Sequence, residues 1–414
     1  MTGPAAFPGL AADRAVDPAR FAIGGRTPRL ALRPTSRDEA AEVLRAATAD
    51  RLALVPWGGG VSLAREPAPG RYDLALDLAA LDRVVEYDPE DFTLTAECGA
   101  TIASLRATLA ARGQELPLEA PHAARATLGG VLSANASGPR RLRFGAPRDR
   151  ILGARFALAG GTIARSGGKV VKNVAGYGIH RLLCGSRGGL AVFLEASLKL
   201  APAPEARVAL CFDADARSLA DASRWAGLPR LEPSLVTVVA SAIAGSQAAD
   251  LAAAGPFLVV VGLEDDSRRV AEQESAVIAA LGAPSSRLEG EGATALWQGL
   301  ADLEELDEPR LTCTTAANTP AALAPLLASG RAPRLLFHAP AGRLHWFQPE
   351  RFDARRDGFT RIAARGASPG AEPSDSDSDP PGRSGLRALR TRIRAALDPD
   401  ALFALGERWV KGDA

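Results

Sequence analysis

The chain has 414 residues, more than a single core usually holds, so two domains are expected. Lysine plus arginine (49) and aspartate plus glutamate (48) nearly cancel, which gives no reason to invoke nucleic acid as a partner. The four cysteines, Cys98, Cys184, Cys211 and Cys313, make no CxxC pair, so no zinc or iron–sulfur site is expected and the chain reads as reduced and cytoplasmic. The first residues, MTGPAAFPGLAADRA, lack a basic stretch followed by an apolar one, so no secretory signal is expected. Apolar runs such as FLVVVGL (257–263) fall far short of the ~20 residues a membrane helix needs, and any membrane contact is expected to go through partners.

Along the chain, residues 28–55 read as strand–helix–strand. Ser36 and Glu39 make a capping-box pattern ahead of Val43 and Leu44, which share a helical face. RLALVP (51–56) reads as a buried strand that runs into a glycine cluster. YDLALDL (72–78) and FTLTAECG (92–99) are alternating strand candidates. Residues 100–113 read as an amphipathic helix capped by Thr101, buried through Ile102, Leu105 and Leu109, and ended by Gly113. The texture changes after Pro202 and Pro204. Strands are expected at 207–212, 234–241, 257–263, 311–315, 334–339 and 343–347, with a helix over 268–281 that buries Val270, Val277 and Leu281. This pattern predicts an α+β layer with an antiparallel sheet. SPGAEPSDSDSDPPGRSG (368–385) reads as a disordered linker, and its alternating Asp375, Asp377 and Asp379 lack the spacing of a calcium loop. A helix over 386–397, with Leu386, Leu389 and Ile393 on one face, precedes the closing tail.

Two glycine clusters carry the chemistry: PWGGGVS (56–62) and TLGGVLSANASG (127–138). A Rossmann fingerprint fails because Leu63 stands at its third glycine, and Pro67 and Pro69 prevent a long helix from opening there. A P-loop fails because Val170 follows Gly168-Lys169 where Ser or Thr is needed for magnesium. The remaining possibility is a pair of glycine turns after strands, whose main-chain N–H groups form anion-binding nests around a pyrophosphate. Gly58, Gly59 and Gly60 would make one turn, and Gly129 and Gly130 the other. Ser62, Thr127, Ser133 and Asn135 would add neutral hydrogen bonds, with no nearby cation needed.

These clusters resemble the FAD-binding domain of the vanillyl-alcohol oxidase / para-cresol methylhydroxylase superfamily. GPRRLRFGAPRDRILG (138–153) and GGKVVKNVAGYGIHRLLCGS (167–186) are similar to the FAD-binding subunit of bacterial glycolate oxidase, with the likeness close over roughly 50–203. The resemblance implies a two-subdomain FAD-binding domain over 25–203 and an α+β cap over 204–367. After a linker at 368–385, residues 386–414 would return to the flavin domain. It implies non-covalent FAD, held by Pro56, Gly58, Gly59, Gly60, Val61 and Ser62, and by Thr127, Leu128, Gly129, Gly130, Ser133, Asn135 and Gly138. Gly188, Ala191 and Val192 would lie along the flavin or adenine edge.

Arg143, Gly145, Arg148 and Asp149 look like the turn that braces the second loop, as a buried ion-pair scaffold or by direct contact. In the KNxxGY element, Lys172 is expected either to stabilise the reduced anionic flavin or to make a structural ion pair. Tyr177 is expected in the core. The implied activity is oxidation of a 2-hydroxy acid, glycolate or D-lactate. Electrons would pass to a second FAD-containing subunit and an iron–sulfur subunit.

The chain departs from its relatives in several places. Ala191 adds a methyl group where a glycine usually stands, and the cap lacks the relatives' HxGDGN stretch. Arg343 and His345, in HAPAGRLH (338–345), are the remaining candidates for holding the substrate carboxylate and taking its proton. Two other readings stay open: a self-sufficient dehydrogenase of another substrate, and a non-catalytic scaffold that keeps the flavin fold.

Overall fold

Ser36 starts the helix Arg37–Ala49, its hydroxyl accepting from the Glu39 N–H at 3.1 Å. The reciprocal arm of the capping box is displaced by one residue. The Glu39 carboxylate accepts from Thr35 N at 2.7 Å and pairs with Arg14. This computed structural model describes residues 14–63, 66–169, 176–244, 255–305, 310–314, 319–327, 334–339, 342–347, 360–365, 383–406 and 410.

The helix packs Val43 and Leu44 onto a parallel three-stranded sheet in which Leu74–Asp77 lies between Leu30–Leu32 and Leu54–Trp57. The middle strand was expected to alternate but is buried at all four residues. Leu74 and Leu76 face the helix side, while Ala75 faces a second cluster with Val55, Tyr72 and Phe21, so both faces of the parallel sheet are covered.

Beside it lies an antiparallel sheet in the order Val84–Asp88, Thr93–Glu97, Val192–Lys199, Ile151–Ala157, Ile163–Gly167. Of its five strands only Thr93–Glu97 matches a strand expected from the sequence, and the first shows why. The exposed Val84 and Val85 give it no buried face for a sequence pattern to reveal. The expected helix runs Ile102–Ala110, and Thr101 Oγ1 accepts from Ser104 N at 3.1 Å. Ile102, Leu105 and Leu109 are buried.

The six strands expected after residue 205 all form, within one eight-stranded antiparallel sheet. Ser286–Glu289 and Thr360–Arg365 are added at its two edges. Helices Ser267–Leu281 and Gly290–Asp302 cover it through Val270, Val277, Leu296 and Trp297. The α+β class and the antiparallel second sheet hold.

The last helix begins at Arg383, three residues inside the expected linker; residues 366–382 lie outside the described ones. Its expected apolar face is divided. Ile393 and Leu397 pack onto the core beside the five-stranded sheet, but Leu386 and Leu389 are 47% and 50% exposed because the helix overhangs that core. The chain then returns to the parallel sheet. Leu54 N donates to Leu402 O at 2.8 Å, Ala404 N donates to Leu54 O at 2.9 Å, and Phe403 is fully buried. Among the described residues no helix is long and apolar enough to cross a membrane.

Candidate functional site

The strand Leu54–Trp57 delivers Gly58, Gly59 and Gly60 to one wall of an open cleft. The opposite wall carries Thr127, Gly129, Gly130 and Ser133, and a third side carries Gly188, Ala191 and Val192. Pro56, Val61 and Ser62 also line it.

The second glycine pair is not a turn after a strand. Gly129 and Gly130 lie in the first turn of the short helix Leu128–Ala134, whose N-cap Thr127 accepts from Gly130 N through Oγ1 at 3.3 Å. Two poor helix formers are tolerated there because the turn is bolted to its neighbour. Leu128 N donates to Ala100 O at 2.8 Å, and Gly129 N donates to Cys98 O at 2.7 Å.

The glycines answer two different demands. A Cβ on Gly58 would collide with Thr127 Oγ1, and one on Gly59 with the Arg125 carbonyl oxygen. A Cβ on Gly129 would lie 3.0 Å from Cys98 Cβ and from the Cys98 carbonyl oxygen. These three let the walls close on one another. Gly60 has φ +72, where side chains are disfavoured. For Gly130 the sole near neighbour is Thr127 Oγ1 at 3.2 Å, a tight contact with a single side-chain atom, so packing is less exacting there than at Gly58, Gly59 and Gly129. A cradle of small residues and main chain beside neutral hydroxyls suits a flat cofactor with a diphosphate, and the residues present fit FAD on that ground.

Three expected contacts leave the cleft wall. Leu128 is fully buried in the core. Asn135 is the left-handed C-cap of the short helix (φ 49), and its Oδ1 accepts from Arg148 N at 3.3 Å. Gly138 packs against Glu119 and Ala301. Lys172 lies outside the described residues. Tyr177 is 91% exposed rather than in the core; its main-chain carbonyl is held by Ser166 Oγ at 3.1 Å while its ring points to solvent.

The cleft also contains groups the sequence reading passed over. Cys98 lines it, with burial pushing its thiol pKa well up, so the sulfur stays protonated. Arg187 lines it too, although the expected diphosphate cradle needed no cation. Its neighbours in Gly185-Ser186-Arg187-Gly188 were the available signal.

The Arg143–Asp149 turn braces outward instead of pairing with itself. Arg143 Nη2 reaches Asp265 at 2.9 Å and Arg143 also donates to the Glu264 carbonyl, both on the strand Phe257–Asp265. Asp149 Oδ2 accepts from Ala146 N at 2.9 Å. The buried ionic scaffold is centred on Arg140. Its Nη2 lies 2.6 Å from Glu115 and 2.7 Å from Glu264, and its main-chain N donates to Glu119 Oε2 at 2.8 Å. Burial works against the Arg140 charge, but Glu264, Glu115 and Glu119 outweigh it and keep the guanidinium protonated. Burial raises Glu119 to about 7, with Arg140 and Arg106 opposing the rise. The next two residues, Ala120 and Pro121, line the cleft.

Arg343 and His345 belong to a second cluster, and neither lines the cleft. His338 Nε2 lies 3.1 Å from Glu304 Oε1, His345 Nε2 lies 3.4 Å from Glu304 Oε2, and Arg343 Nη2 lies 3.6 Å from Glu304 Oε2. The outer ring nitrogens meet Thr237 at 2.9 Å and Thr312 at 3.1 Å. Burial opposes charge on Glu304, yet Arg343, His345 and His338 hold it well below the usual carboxylate range. Arg343 Nη1 also donates to Ser137 O at 3.2 Å, which ties the cluster to the loop beyond the cleft helix. The expectation of no metal site rested on cysteine spacing. Folding brings Glu304, His338 and His345 donor atoms within 4.8 Å of one another, a set able to hold a divalent cation.

Comparison with known proteins supports the geometry. Residues 28–167 match a family described as an FAD binding domain. The chain is similar to glycolate oxidase subunit GlcD of Bacillus subtilis (strain 168), 32% identical over 47% of this chain and 42% of that protein. It is also similar to glycolate oxidase subunit GlcE of Escherichia coli (strain K12), 38% identical over 41% of this chain and 48% of that protein. The chain therefore spans less than half the length of these curated relatives. The solved structure of p-cresol methylhydroxylase with substrate bound aligns with TM-score 0.69 at 14% identity, covering 95% of this chain and 93% of that one, a likeness of fold.

Proposed function

Since residues 28–167 are an FAD-binding domain related to those of glycolate oxidase subunits, we propose that the chain is an FAD-dependent oxidoreductase subunit acting on a 2-hydroxy acid such as glycolate or D-lactate. It would work beside a second flavin subunit and an iron–sulfur subunit. We read 25–203 as the flavin domain and 204–367 as the cap. The observation that carries the reading is the cleft between Gly58–Ser62 and the Thr127-capped helix.

Bound FAD would supply a two-electron acceptor for the substrate's hydride. The chain's own contribution is to hold it. Main-chain groups at Gly58, Gly59 and Gly60 would face the diphosphate, with Ser62, Thr127 and Ser133 adding neutral hydrogen bonds. The N–H groups of Gly129 and Gly130 already donate to Cys98 O and Thr127 Oγ1, so the second wall would contribute its hydroxyls in place of a main-chain nest. Gly188, Ala191 and Val192 would flank the ring or adenine edge. Lys172 is kept as the candidate for stabilising reduced flavin, and a Lys172→Ala protein with an unchanged flavin reduction potential refutes that role.

The enclosure of Arg343 and His345 around Glu304 favours a subunit over a self-sufficient enzyme. These side chains are occupied by their own chain, so we assign the substrate chemistry to the assembled complex. The test is the visible spectrum of the chain purified alone and with its neighbouring gene products, followed by anaerobic glycolate or D-lactate. Flavin bleaching only in the complex supports the reading. Bleaching of the isolated chain selects independent catalysis, and a colourless chain that still assembles selects a scaffold.

A further inference from the structure

Among the described residues lining the cleft, Arg187 is the cation. We propose that Arg187 is a cofactor-positioning residue that directs its guanidinium to an organic diphosphate in this cleft, a role separate from that of the main-chain cradle. The inference rests on the flavin dinucleotide reading above.

The backbone provides the first observation. Arg187 has φ 53, between Gly185 at φ 85 and Gly188 at φ 72. Glycine adopts this left-handed region freely and an arginine does not, and strained residues of this kind cluster at ligand sites. The second observation is its anchorage. Arg187 N donates to Ser133 O at 2.8 Å, in the last turn of the cleft helix. Its guanidinium pairs with Glu66, whose own N–H donates to Leu63 O at 3.0 Å, just past the glycine turn. Arg187 is therefore bonded directly to the cleft helix and, through Glu66, to Leu63 beyond the glycine turn.

Charge provides the third observation. The other polar side chains on these walls, Ser62, Thr127 and Ser133, are neutral. A diphosphate held by neutral groups alone keeps its net charge unpaired. The Arg187 and Glu66 side chains are only 16% and 7% exposed, and a buried ion pair is a poor device for stability compared with apolar packing. As a device for holding a guanidinium at an anion site it has a purpose. The planar fork can serve a carboxylate and a phosphate oxygen together. Glu66 then orients Arg187 and competes with the ligand for it.

The test is titration of the FAD-free full chain with FAD and with riboflavin, which lacks phosphate. Binding is followed by quenching of flavin fluorescence at low and high salt. Arg187→Gln is expected to weaken FAD binding by about 10- to 100-fold, to flatten its salt dependence, and to leave riboflavin binding unchanged. Arg187→Lys is expected to restore the salt dependence but only part of the affinity, because an ammonium keeps the charge without the fork, and Glu66→Gln to bind FAD at least as tightly as the natural protein. Equal FAD affinity and equal salt dependence in Arg187→Gln overturn the proposal while leaving the dinucleotide reading intact. Equal weakening of FAD and riboflavin by both Arg187→Gln and Glu66→Gln also overturns it, because the pair is then only a staple. A natural protein that binds neither flavin defeats the dinucleotide reading and this proposal with it.

Discussion

Glu119 makes the ionic scaffold behind the cleft sensitive to pH. Its carboxyl is buried, faced by Arg140, Arg106 and the like charge of Glu264, and raised from the ordinary 4.5 to about 7. A carboxyl whose folded value is raised favours the fold when protonated. Its contribution is complete below about 4.5 and is lost as pH rises through about 7. The gap corresponds to roughly 3 kcal/mol, most of it lost between about pH 5 and 8. Glu119→Gln keeps an amide oxygen for the Arg140 N–H and cannot ionise. Urea unfolding of the full chain at pH 5.5 and pH 8, read by tryptophan fluorescence, should show the natural protein losing about 2 kcal/mol more than Glu119→Gln over that interval. Other titrating groups cancel in the comparison. Parallel losses in the two proteins would show that Glu119 is ionised in the fold at neutral pH and that burial is not its dominant influence.

Arg140→Met leaves Glu264 buried without its closest cation and should destabilise the protein by about 3–5 kcal/mol, read as a lower urea midpoint. Arg207 at 3.3 Å compensates only in part. The two classes of glycine should separate in a paired experiment. Gly58→Ala meets Thr127 and should lower Tm even without cofactor, whereas Gly130→Ala should leave the apoprotein Tm nearly unchanged and weaken FAD binding. Thr127→Ala removes the helix cap and should cost about 1 kcal/mol, with Thr127→Ser recovering it in the same thermal melt.

The local elements were legible because their causes lie within a few residues. Ser36 and Thr101 cap helices three residues ahead, and Ile102, Leu105 and Leu109 recur at helical spacing. The apolar runs after residue 205 became strands whose pairing shows no comparable local signal. The glycine clusters also marked the cleft before any fold was known, since dense glycine signals close approach of something to the backbone. What approaches was decided in three dimensions. For Gly58 and Gly59 it is the opposing wall, for Gly129 it is Cys98, and for Gly130 it is the capping Thr127 side chain alone.

The chain order by itself determined the elements, the two glycine-rich walls and the class of cofactor those walls suit. Tertiary structure alone decided the charge partners: Arg140 with Glu264, Arg187 with Glu66, and Glu304 between His338 and His345. It also decided that Leu386 overhangs the core and that Tyr177 faces water. The physical reason is range. Caps and periodicity are set by hydrogen bonds and side-chain spacing within one turn or strand. Ion pairs between residues 34 to 124 positions apart exist only after the sheets have brought distant segments together, and they leave no periodic trace in the chain.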